Sequence, residues 1–96
     1  MSIEDSFNSE CENIFLKNKF LLERKLKIKE GSKDISFDDF PIFHEMFESH
    51  QKELAFKLMD FLEANNNLHG LQDTLQPIAN YYIASFLNMV NFPKLE

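Results

Sequence analysis

Between Thr74 and Pro93 the chain runs for twenty residues without one charged side chain, although 27% of its residues are charged overall. At helical spacing, Leu75, Ile78, Tyr82, Phe86 and Met89 make an apolar stripe there, and Ala79, Ile83, Leu87 and Val90 widen it to about half the circumference. Asn80, Asn88 and Asn91 fill the far side. An arc that wide cannot face water, so either the rest of this chain or a partner must cover it. Lipid is the poorer answer. A membrane span needs about twenty predominantly apolar residues, whereas Gln76, Asn80, Ser85, Asn88 and Asn91 interrupt this one and no cationic flank anchors it.

Two further segments carry helical periodicity. The first runs from about Ile3 to Lys29. Ser2 is placed to cap it, with Asp5 three residues on. Ile3, Phe7, Cys11, Ile14 and Leu21 share one arc, with Phe15, Leu22 and Leu26 beside it. Acids in its first turns and lysines in its last suit the helix dipole, and Gly31 is a natural stop. A rival reading ends this helix near Arg24. It then folds 25–37 as a short β-hairpin, with Lys25 to Lys29 alternating as a strand, a turn at Gly31-Ser32, and a return through Ile35 and Phe37.

The second segment runs from about Pro41 to Ala64. Pro41 lies in its first turn, Asp38 or Asp39 is placed to cap it, and Asn65-Asn66-Asn67 ends it. Its stripe is Phe40, Phe43, Phe47, Leu54, Leu58 and Phe61. The uncharged third segment is expected over Thr74 to Phe92, with Asp73 or Thr74 as cap, Pro77 in the first turn and Pro93 closing it. These readings predict an all-α fold: one domain over 1–96, a small bundle of three main helices with Phe in most core layers. Eleven Phe residues supply that core, each contributing roughly 1.5–3 kcal/mol when buried. A first helix of roughly 40 Å would overhang a rounded 96-residue domain, so either an elongated bundle or a dimer is expected.

Charge narrows the function. The net charge of −6 opposes nonspecific binding to nucleic acid or an acidic membrane. Residues 1–16 hold four acids and no base, and residues 17–29 hold six bases against Glu23 alone. This basic run is interleaved with core residues, so direct nucleic-acid binding is not expected. It could instead meet the acidic segment of a second copy, pairing two first helices antiparallel. The N-terminus lacks the basic-then-apolar order of a signal peptide, and the lone Cys11 permits no internal disulfide. A cytoplasmic location is expected, whether in the producing cell or in one to which the protein is delivered.

Catalytic chemistry finds little to stand on. His44 and Glu48 are spaced i,i+4, but His50 points about 120° away from His44, into the Phe stripe, and His69 lies in a loop. That reads as a core or interface histidine, whose charged form burial would disfavour, and not as a ligand set. Cys11 reads as a small core residue. No metal, cofactor or enzymatic activity is expected.

Some large apolar side chains fall off their stripes. Phe56 and Met59, three residues apart, lie among the charges of the second segment, and Phe20 lies off the arc of the first. The plain alternative for the pair is packing under the 30–40 loop or the C-terminal tail. Otherwise a Phe–Met pair on an acidic face is the composition of an interface core. Phe56, Met59 and Phe20, with Ile83 and Leu87 from the wide arc, are therefore the candidate partner-binding residues. The expected function is non-enzymatic binding of another protein by a self-associating, homodimeric helical module, of the size and charge typical of adaptors, inhibitors, immunity proteins or secretion chaperones. The competing expectation is an acidic nucleic-acid mimic that occupies a DNA- or RNA-binding protein.

Overall fold

The computed structural model describes residues 2–26 and 34–92. Three helices account for most of them: α1 (Ile3–Leu26), α2 (Phe40–Ala64) and α3 (Leu71–Leu87). The fold is the small all-α bundle that the periodicities predict.

Local chemistry sets each boundary. The Ser2 hydroxyl oxygen accepts the Asp5 N–H at 3.0 Å, which satisfies one of the donors a helix start leaves open. Residues 27–29, where the first segment was expected to end, lie outside the described residues, as does most of the 25–37 hairpin. Lys25 and Leu26 are helical. No strand forms among the described residues, where the only β pairing is an isolated parallel bridge between Asp34 and Asn91.

At the start of α2, Asp39 occupies the cap position but its side chain makes no capping bond; its own N–H is bound by the Ser36 hydroxyl at 3.2 Å. At the other end Asn66 and Asn67 adopt φ of 57° and 51°, the left-handed turn expected of the Asn run.

The third helix differs from expectation at both ends. It begins at Leu71, behind Gly70 at φ 79°, and not near Thr74. Thr74 is already inside the first turn, donating its hydroxyl to the Gly70 carbonyl at 3.1 Å. Pro77 therefore lies within the helix, where it removes the N–H that would reach Asp73. Both residues are exposed, so water can serve that carbonyl. At the far end the helix stops at Leu87, short of Phe92. Asn88 caps it, and residues 88–92 turn aside to clasp the segment before α2. The Ile35 N–H donates to the Asn91 carbonyl at 3.2 Å, and the Asn91 amide donates to the Asp34 carboxylate at 3.0 Å.

Chain direction follows from side-chain meetings. Phe7 meets Phe61 edge-on at 5.1 Å, while Lys17 meets Glu53, so α1 and α2 run antiparallel. Leu71 and Leu75 join the core cluster of Phe7 and Cys11, whereas Phe86 and Val90 join that of Leu22, so α3 runs with α1. With all three helices lengthwise, the molecule measures 47 × 25 × 17 Å. Elongation therefore accommodates the long first helix, and its length no longer argues for a dimer.

The helix faces refine the expected arcs. On α1 the fully inward residues are Phe7, Cys11, Asn18 and Leu22, whereas Leu21 is exposed. The buried arc is thus rotated away from Leu21 and centred over a polar residue, because Asn18 has a partner inside. On α2, Phe40 is part-exposed at the helix start, with its ring edge-on to Phe92 at 5.9 Å.

Candidate docking face

The bundle has a polar centre beneath its surface. His50 of α2 is fully buried. Its Nε2 lies 3.1 Å from the Tyr82 carbonyl of α3, and its Nδ1 lies 2.8 Å from the Asn18 amide nitrogen of α1. A carbonyl can only accept, so Nε2 carries the proton and Nδ1 accepts from Asn18. The imidazole is neutral and joins all three helices in one layer. Phe86 stacks on it at 4.5 Å, and burial pushes its pKa below the usual histidine value. The Tyr82 hydroxyl donates to Asn8 at 3.0 Å, which ties α3 to α1 a second time. Among the described residues no buried side-chain polar atom lacks a partner. His50 is thus a structural histidine, as its place in the Phe stripe predicts.

The remaining reactive groups are equally occupied or dispersed. His44 Nε2 lies 3.6 Å from Glu48 Oε1 on open surface. Among the described residues no three His, Cys, Asp or Glu side chains gather around one point. Cys11 is fully buried and its thiol is pushed up to about 11, chiefly by burial and then by Glu10. Thiolate is the reactive form, so Cys11 is expected to resist a thiol reagent at neutral pH until the chain unfolds. A stoichiometric reaction of the native protein within minutes would contradict that packing.

The outer surface holds the apolar candidates. Phe56 is 63% exposed and Met59 52% exposed, side by side on the outward face of α2. Neither is packed beneath the described part of the 30–40 loop; residues 30–33 and 93–96, the rest of that loop and the C-terminal tail, lie outside the described residues. Phe56 stands at the edge of a shallow groove of about 400 Å³ between α1 and α2, floored by Ile14. Two ion pairs cross that groove, Lys17–Glu53 at 2.6 Å and Lys57–Glu10 at 3.7 Å. Lys17, the first residue of the basic run, is thereby turned to α2. The pairs are part-exposed, so each contributes about 0–1 kcal/mol. Their effect is to border an uncovered phenyl ring, on its α1 side, with charges that already have partners.

The other candidates lie elsewhere. Phe20, on α1, is 58% exposed, with the Arg24 guanidinium 5.6 Å from its ring centre. Ile83 and Leu87, on α3, are part-buried, the first against the core cluster around Cys11 and Tyr82, the second against that around Phe43 and Phe86. The five residues therefore occupy three helices, and only Phe56 and Met59 form an exposed pair. The wide arc of α3 is largely covered within the molecule, by α1 on one side and α2 on the other. Sequence reasoning passed over Leu16 and Tyr81, exposed on α1 and α3. Leu16 was detectable, because it lies four residues before Phe20 on the same helical face. No described helix is long and apolar enough to cross a membrane.

No protein-family model matches the chain, and no curated protein or solved structure matches it.

Proposed function

We propose that this chain is a non-enzymatic protein-binding module whose outer α2 face, centred on Phe56 and Met59, docks an apolar patch of another protein. One observation carries the reading. Two large apolar side chains stay more than half exposed, one turn apart, on a helix whose inward stripe of Phe43, His50, Leu54 and Leu58 is already buried. Single exposed apolar residues are ordinary, but an aromatic and a methionine together match the composition of interface centres. The ion pairs give the α1 edge of this face a polar border beside Phe56. Such a face suits an adaptor, inhibitor or chaperone acting as a dimer in the cytoplasm.

The test compares the wild-type chain with the double variant Phe56→Asp, Met59→Lys as bait in native lysate. Both positions face solvent, so the variant is expected to keep its helical circular dichroism and its stability to within about 0.5 kcal/mol. A protein retained by the wild type in about 1 M salt, where screening reaches about 3 Å, and lost by the variant supports the apolar face. If the double variant holds the same proteins, the face is idle. If instead the bound protein leaves as salt rises and is itself a nucleic-acid binder, the mimic reading replaces this one.

A further inference from the structure

The surface of α1 opposite the core has no role in the bundle, yet it is patterned. Leu16 is 50% exposed and Phe20 58% exposed, and they follow each other along the outward face. Glu12 and Lys19 lie beside them, exposed, and neither is ion-paired to a described residue; the cations and acids that serve the bundle are Lys17, Lys57, Glu10 and Glu53. At 3.6 residues per turn, Glu12 is displaced about 40° from Leu16 and Lys19 about 60°, both to the same side. They stand four residues before and three residues after Leu16.

That arrangement is self-complementary in one way. When two identical helices pack antiparallel about a two-fold axis, residues on the same flank meet, and positions equally far before and after the axis oppose each other. An axis at Leu16 sets Leu16 on Leu16 of the second copy. It sets Glu12 of each copy against Lys19 of the other, twice by symmetry. On the opposite flank, Asn13 and Phe20 are likewise displaced to a common side and meet crosswise. The broader charge distribution agrees. The first half of α1 holds Glu4, Asp5, Glu10 and Glu12, and the second half holds Lys17, Lys19, Arg24 and Lys25 against Glu23. Glu10 and Lys17 are engaged with α2, so the complementarity at the seam rests on Glu12 and Lys19; antiparallel pairing brings these together, whereas parallel pairing sets like on like, which costs free energy.

We infer that the outward face of α1 is the seam of a two-fold homodimer centred on Leu16, its register set by reciprocal Glu12–Lys19 pairs. This deepens the dimeric part of the proposed function and leaves the α2 face free for a different protein. Light scattering behind a sizing column tests it on the full chain. The wild type is expected at twice the 11.4 kDa chain mass. Leu16→Asp places two carboxylates at the axis and is expected to give single copies, with circular dichroism unchanged because Leu16 is not core. Glu12→Lys and Lys19→Glu alone are each expected to raise the dimer dissociation constant about tenfold or more. Together they exchange the signs and are expected to restore it. A wild type that stays a single copy at every concentration overturns the inference. So does a dimer that survives Leu16→Asp, or a double swap that fails to rescue. The Phe56→Asp, Met59→Lys variant is expected to keep the wild-type mass, so loss of the partner and loss of the dimer report on different faces.

Discussion

Phe86→Ala is expected to destabilise the bundle by about 3–5 kcal/mol, the range for truncating a buried phenylalanine. Phe86 is fully buried, and its ring lies within 4.5 Å of His50, 5.5 Å of Phe43 and 6.3 Å of Phe47, near-parallel to all three. Removing it opens a hole where three aromatic neighbours lose their common partner, and all three belong to α2, which cannot close onto α3 without disturbing the bond from His50 to the Tyr82 carbonyl. A chain of this size has about 5–15 kcal/mol in total, so the loss is a large share of it. At about 4–8 °C per kcal/mol, the melting temperature is expected to fall by more than about 10 °C. Tyr81→Ala, five residues earlier on the solvent side, is the control and is expected to cost less than about 1 kcal/mol. Equal effects in urea unfolding would show that Phe86 does not sit in a packed layer.

How the helices came to be legible, and where reading stopped, follows from the range of the interactions. Spacing alone locates three helices, because the apolar residues of each helix repeat every three or four positions whatever they pack against. Asn66 and Asn67 were readable as a stop since their left-handed backbone is a local preference. The start of α3 was not, because Pro77 is compatible with a first turn and with a solvent-facing position further in, and only Gly70 with its positive φ decides between them. Asn18 was invisible as a core residue for a different reason. Its burial depends on His50, thirty-two positions away, and nothing near Asn18 in the chain announces it. His50 could be placed because it falls in one stripe with Phe43, Phe47, Leu54 and Leu58 at helical spacing. The surface divides the same way. Phe56 and Met59 stand out because charges surround them in the sequence, whereas Ile83 and Leu87 merge with an arc whose coverage depends on how α3 lies between its neighbours.

Acid is expected to weaken the fold through His50. In the folded chain, burial lowers the imidazole pKa, against smaller raising effects of the Tyr82 carbonyl and Glu53 and with a small lowering effect of Lys17. In the unfolded chain the same group titrates near about 6.5. Below that pH the unfolded chain takes up a proton that the native chain refuses, so the unfolded state gains. The stability tied to His50 is therefore fully present above about pH 6.5. It declines as pH falls toward the lower folded-state value, with a slope of up to about 1.4 kcal/mol per pH unit. Hydrogen bonding reinforces this direction. Nδ1 must accept from Asn18, and a protonated ring presents a donor there, so Asn18 has to turn its oxygen inward and give up its present arrangement. Neighbouring charge does little to help, because Glu53, the acid that favours the charged ring, is held by Lys17 at 2.6 Å. Urea unfolding between pH 5 and pH 7.5 reads the slope. His50→Leu alone leaves the buried Asn18 amide without its acceptor and is expected to cost about 1–3 kcal/mol at every pH. His50→Leu with Asn18→Leu removes both partners, recovers much of that loss, and is expected to flatten the dependence. The Tyr82 carbonyl keeps its helical N–H four residues on, so it is not orphaned in the double variant. A double variant as acid-sensitive as the wild type would place the titrating group elsewhere and leave His50 as packing alone.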